Sequence, residues 1–112
     1  MARPRTTPRT VEHPDLSEVT LQQVLEALAD PIRRTVVCQL AEADGDKGCG
    51  TFTTPVSDST LTHHFAVLRE AGVIWQYYQG TTKLNSLRAV EMEARFPGLL
   101  HAVVAAAAAE VR

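Results

Sequence analysis

The chain has 112 residues, 45% of them hydrophobic and 21% charged, with a formal net charge of −2. This length suits one domain, and this balance excludes a disordered chain and a broadly basic nucleic-acid binder, so any phosphate contact must come from local patches. No apolar run approaches the roughly 18 residues that span a bilayer, and no apolar signal region opens the chain, so the expected location is cytoplasmic.

Residues 1–15 read as a flexible basic arm and residues 16–112 as the folded domain. Arg3, Arg5 and Arg9 stand among the first ten residues with no acid, and Pro4, Pro8 and Pro14 punctuate the segment. Such an arm is either an idle tail or a strap that touches DNA or a partner subunit. From residue 16 to 29 the pattern is helical, with Leu21, Val24, Leu25 and Leu28 on one stripe. Asp30 is a good N-cap, and Pro31 suits a first helical position because its missing N–H has no partner there anyway. The second helix is predicted to run to about residue 43, with Ile32, Val36, Val37 and Leu40 facing inward and Arg33 and Arg34 outward. It stops in the acidic, glycine-containing loop ADGDKGCG. Residues 50–56, GTFTTPV, are poor helix formers, so a short or irregular turn is expected, with Phe52 and Val56 filling the core.

Ser57 is the predicted N-cap of the next helix, SDSTLTHHFAVLREAG, which stops at Ala71-Gly72. Leu61, Phe65 and Leu68 face inward, while Ser59, Thr60, Thr62, His63 and Ala66 fall on the other side. Residues 73–78 and 83–87 form a predicted hairpin around a turn at 80–82, with Gln79, Thr81, Thr82 and Lys83 near its tip. A short helical segment follows at 89–95. Pro97 is expected to open a last helix carrying Leu99, Leu100, Val103, Val104 and Ala107, too apolar to lie bare on a small monomer. The order of elements is that of a mainly α (α+β) winged helix-turn-helix, dimerising through its N- and C-terminal helices.

Three stretches carry a family resemblance. LEALADPIRRTVVCQLAE resembles the helix-proline-helix opening of the arsenic-repressor (ArsR/SmtB) family, and STLTHHFAVLREAGVI resembles its recognition helix and entry to the wing. RAVEMEARFPGLLHAVV is similar to a branch whose last helix begins with phenylalanine-proline-glycine. The likeness runs from about residue 18 to residue 104. It implies a homodimeric transcription regulator, usually a repressor, that binds a pseudo-palindromic operator and releases it when an effector arrives. Carried over by position, it assigns DNA contacts to Asp58, Ser59, Thr60, Thr62 and His63, a phosphate contact to Arg69, and wing contacts to Gln79, Thr81, Thr82 and Lys83. Leu21, Leu99, Leu100, Val103, Val104 and Ala107 then form the dimer interface. The exposed face of the helix holds no lysine or arginine, so sequence readout should lean on shape, symmetry and half-site spacing.

The effector is open. Where metal-sensing relatives carry a cysteine pair, this chain has only Cys49, and its last helix offers only His101. No metal ligand set is identified. The nearest arrangement, for nickel or zinc, would join Glu12, His13 and Asp15 to the partner subunit's His101. A separate sensor protein is the other route for a signal. His63 and His64 point about 100° apart and cannot share one ion; a structural bond from His64 to backbone or a carboxylate is expected. Cys38 and Cys49 are read as a buried small hydrophobe and an idle loop thiol, in preference to a thiol switch. There is no glycine-rich phosphate loop, nucleophile elbow or acid–base pair, so no enzyme is predicted. The rival class is a winged-helix protein-interaction module without DNA binding.

Overall fold

Asp30 and Pro31 form the elbow between the first two helices, as their chemistry predicts. The computed structural model describes residues 10–111, so Arg3, Arg5 and Arg9 of the expected arm lie outside it. A 3-10 turn at Leu16–Glu18 leads to α1 (Leu21–Leu28) and α2 (Pro31–Glu42). The short strand β1 (Lys47–Gly48) and a second 3-10 turn (Cys49–Thr51) precede α3 (Asp58–Glu70). Then come β2 (Ile74–Gln79), β3 (Thr82–Leu87), α4 (Ala89–Arg95) and α5 (Leu99–Glu110). None of the described helices is long and apolar enough to cross a membrane.

The first helix differs from its predicted span. Thr20 adopts extended backbone and starts a new helix through a reciprocal capping box with Gln23, which cuts residues 16–18 off as a separate turn. Val24, Ala27 and Leu28 go into the core, while Leu21 and Leu25 stay 48% and 42% exposed. At the elbow, Asp30 accepts the N–H groups of Ile32 and Arg33 at 2.8 and 3.2 Å. Burial pushes the Asp30 carboxyl up, but these bonds outweigh it and hold the carboxyl below its usual value. Arg33 and Arg34 do not face outward as expected. Arg33 donates to the carbonyls of Glu26 and Ala27, and Arg34 to those of Leu28 and Ala29. The last carbonyls of a helix have no partners of their own, and α1 ends at Leu28, two residues before Asp30, within reach of both guanidinium groups.

Ser57 caps α3 through the Thr60 N–H, and Leu61, Phe65 and Leu68 are buried as the pattern requires. The helix stops at Glu70, and just past its Ala71 cap stands Gly72, whose φ is +77° and where a Cβ would lie 2.7 Å from Leu16 Cδ2. Glycine is needed for both reasons. The chain then feeds Val73 and Ile74, both 0% exposed, into the core.

The sheet has the order β1-β3-β2, all antiparallel. Pairing of Gln79 with Thr82 leaves a two-residue turn at Gly80 and Thr81, one residue shorter than predicted. β1 was not predicted, because its lysine and glycine carry no strand signal of their own; pairing with Leu84 and Asn85 alone makes it a strand. Pro97 does not open the last helix. Gly98, at φ +79°, sits between it and Leu99, and its N–H is held by Glu93. Leu100 is buried in the chain's own core; Leu99, Val103 and Val104 pack half-buried against it, and Ala107 is half-buried.

Substituting Gly72→Ala should cost about 2–5 kcal/mol, the sum of left-handed strain and overpacking against Leu16. Urea denaturation of the two proteins measures it.

Candidate nucleic-acid interface

The outward face of α3 begins with a cluster of hydroxyls. Asp58, Ser59, Thr60, Thr62 and His63 are all exposed. Ser57 Oγ lies 3.2 Å from Ser59 Oγ and donates to Thr60 Oγ1 at 3.1 Å. Thr62 Oγ1 donates to the Asp58 carbonyl at 2.9 Å, which leaves its oxygen lone pairs outward as acceptors. Asp58 occupies the first turn, where the helix dipole favours a negative charge.

The inner face is tied down by His64. The residue is 8% exposed, and Nδ1 accepts from Arg33 Nη1 at 3.1 Å, since a guanidinium can only donate. The partner is therefore a cation, not the backbone group or carboxylate expected. Through Arg33, the end of α1 is joined to the middle of α3. The ring centroids of His63 and His64 lie 5.7 Å apart, but His63 is exposed.

The stretch before α3 is short and irregular, as predicted. Gln39 closes two bonds on the Thr53 backbone, donating to its carbonyl at 2.7 Å and accepting its N–H at 3.0 Å. Phe52 meets Phe65 edge-on at 5.1 Å. A side-chain amide thus holds a segment that has no regular helix of its own.

Behind α3 lies a buried polar junction that the sequence reading missed. Gln76 and Asn85 are 2% and 0% exposed and face each other across β2 and β3. Gln76 Nε2 donates to Asn85 Oδ1 at 2.8 Å, and Asn85 Nδ2 donates to the Lys47 carbonyl at 3.1 Å. Arg69 Nη1, on α3, donates to Gln76 Oε1 at 2.6 Å. A phosphate contact by Arg69 would have to use its other nitrogens. Cys49 is not an idle loop thiol: its Sγ lies 3.3 Å from Asn85 Nδ2 and 3.9 Å from Gln76 Nε2. Cys38 faces elsewhere, with Sγ 4.0 Å from the Val104 carbonyl, and burial followed by Glu42 pushes its thiol up. The signal available in the sequence was a pair of amides at inward positions of two adjacent predicted strands.

Of the wing residues, Gln79, Thr81 and Thr82 are exposed. Lys83 is half-buried, with Nζ 5.6 Å from the centre of the Tyr78 ring. The Tyr77 hydroxyl bonds to Asp46, which pushes the phenol up and draws part of the acidic loop onto the wing.

At the base of the wing, Arg88 is 3% exposed. Its guanidinium lies 3.8 Å from the Trp75 ring centre, holds Glu91 at 3.1 and 2.9 Å, and donates to the Pro14 carbonyl at 2.9 Å. The bonds from Arg88 hold the Glu91 carboxyl low. His13 Nε2 accepts the Gln76 backbone N–H at 2.8 Å, so that nitrogen is not available to a metal. His101 is exposed. Among the described residues no three His, Cys, Asp or Glu side chains come together to hold a metal ion.

A helical core, a recognition-type helix running straight into a β-hairpin, and a following C-terminal helix define a winged helix-turn-helix fold. Two solved structures share it. Reduced HlyU from Vibrio cholerae N16961 is 27% identical, with a TM-score of 0.57, over 73% of this chain and 85% of that one. M. tuberculosis Rv0081 is 24% identical, with a TM-score of 0.59, over 80% of this chain and 89% of that one. No family profile and no curated protein sequence matches the chain.

Replacing Asn85 with alanine should remove the oxygen acceptor of Gln76 Nε2 and the side-chain donor to the Lys47 carbonyl. The expected loss is about 1–3 kcal/mol, read as a lower urea midpoint.

Proposed function

We propose that this protein is a homodimeric, DNA-binding transcription regulator of the arsenic-repressor type, acting as a repressor at a pseudo-palindromic operator. The observation that carries the reading is the first half of α3. Five short polar side chains stand exposed there, while the opposite face is locked into the core by Leu61, His64, Phe65 and Leu68. A rigid helix with hydroxyl and imidazole groups at its N-terminal end can reach base edges in a major groove and hold a phosphate on its backbone N–H groups. The wing that follows supplies Gln79, Thr81, Thr82 and Lys83. The winged-helix regulator fold shared with the two solved structures supports the same reading.

The apolar surface left over supports dimerisation. Leu21 and Leu25 are among the exposed large hydrophobics. Leu99, Val103, Val104 and Ala107 on α5 are only half covered by their own chain. A second copy laid on α1 and α5 would cover them and set two α3 helices at one half-site spacing. With so few cations on α3, symmetry and spacing carry much of the specificity. The signal enters through an effector or a separate sensor protein.

Fluorescence anisotropy with the duplex upstream of the protein's own gene, at about 50 and about 200 mM salt, is the test. Specific binding weakened by salt is expected. Thr62→Ala and His63→Ala should reduce specific but not non-specific affinity. Lys83→Ala should lower the salt slope by about 2, one phosphate from each protomer at about 0.9 apiece. No binding at low salt would overturn the reading in favour of a protein-interaction module, which the net charge of −2 suits.

Leu21→Glu should turn the dimer into a monomer with the mass of the 12.2 kDa chain in sedimentation equilibrium. A wild type that is itself monomeric at micromolar concentration would remove the dimer from the proposal.

A further inference from the structure

β2 is an outer strand of the sheet, and its Gln76 N–H points away from β3. An outward N–H on an edge strand has no strand to pair with. His13 fills the gap: Nε2 accepts at 2.8 Å, and the ring meets Trp75 edge-on at 4.8 Å. Thr10 and Val11 line a cleft with Trp75, Gln76 and Tyr77 on one side of this contact. On the other side the Pro14 carbonyl accepts from Arg88. The chain at 10–14 is therefore strapped to the wing strand, with His13 as the fastening whose acceptor can be switched off by one proton.

The surroundings disfavour that proton. Arg88 at the start of α4, Arg69 on α3 and Lys83 on β3 all bear on the ring with positive charge. The Val11 carbonyl pulls the other way. Of the nearby acids, Asp15 is bonded to the Ser17 N–H and Glu91 to Arg88, while Glu12 on the strap itself is exposed.

We propose that His13 is a pH-operated latch: the neutral ring holds residues 10–13 on the edge of the wing strand, and a proton taken at Nε2 releases them. A protonated Nε2 is a donor, and it would face the Gln76 N–H donor to donor. Burial, then Arg88, Arg69 and Lys83, hold the His13 pKa below the ordinary 6.5. The sign follows: the contact stabilises the closed strap fully above the free-histidine value and is lost as pH falls through the lower folded value. Gln76 is also the residue whose side chain holds Arg69 at the end of α3. On the DNA-binding reading above, opening the latch therefore loosens the support of the reading helix.

Trp75 is the only tryptophan, so its emission reports on the His13 contact. Wild-type protein should show a one-proton fluorescence transition with a midpoint below 6.5, and the Gln76 amide resonance should move over the same range. His13→Gln keeps an acceptor that does not titrate; it should stay closed and show no transition. His13→Ala should show the acid-form emission at every pH, with Gln76 amide exchange faster by about tenfold or more. Far-ultraviolet circular dichroism should stay constant throughout. A transition that persists in His13→Gln, or a wild type with none down to about pH 4.5, would overturn the latch. Anisotropy with the operator duplex forms a second arm. DNA affinity that changes across the transition in wild type but not in His13→Gln supports the coupling, and affinity that ignores the transition overturns it. A protein that binds no DNA at any pH overturns the regulator reading, while the latch is decided by Trp75 and Gln76 alone.

Discussion

The amide of Gln76 joins four parts of the chain in one buried spot. Its side chain receives Arg69 from α3 and donates to Asn85 on β3, and Asn85 extends the contact to the Lys47 carbonyl and Cys49. Its backbone N–H holds His13. Buried polar groups are costly unless paired, and this cluster is paired on every side the structure describes. An apolar residue at 76 could fill the space, but it could not fix the angle between helix and hairpin. The geometry of a reading helix beside its wing therefore depends on one amide.

A second constraint acts on the opposite side of α3. Arg33 ties the end of α1 to His64, and Gln39 pins the backbone at Thr53. These bonds do the work that a regular middle helix would do by packing. Residues 50–56 contain three threonines and a proline, which cannot form that helix cheaply. The solution is a coil stapled by a glutamine and plugged by Phe52. The outer face of α3 is thereby held still with almost no positive charge of its own, a combination that puts the weight of recognition on placement and symmetry.

The elements were legible where local chemistry decides them. Asp30-Pro31, Ser57 and Gly72 mark helix ends because their side chains, or the lack of one, satisfy backbone groups within three residues. The stripes of α2 and α3 were legible for a related reason, since burial of one face leaves a periodic trace, and β2 was legible from its β-branched and aromatic residues. The break after Glu18 was missed although Thr20 and Gln23 carry a capping box, because the helix marked by the stripe from Leu21 onward was extended back to residue 16. The start of α5 was misplaced because proline often opens a helix, whereas here Gly98, in a left-handed conformation, follows Pro97 before the first turn.

Of the candidate interface, the exposed residues on α3 and the wing were readable from the pattern, since being outward is the complement of being buried. Their support was not. Arg33 and Arg34 looked like solvated surface, Cys49 like an idle thiol, and His13 like part of a loose arm. Each acquires its role from a partner 5 to 63 residues away in the chain. The amino-acid sequence by itself determined the helices, the hairpin, the caps and the winged helix-turn-helix order, all set by contacts within a turn or by periodic burial. Only the tertiary structure decided which polar groups meet: the Arg33–His64 tie, the β1 strand, the Gln76 junction and the His13 fastening. Hydrogen bonds between distant residues leave no periodicity in the chain, and they exist only once the core has brought their donors and acceptors within 3 Å or so of one another.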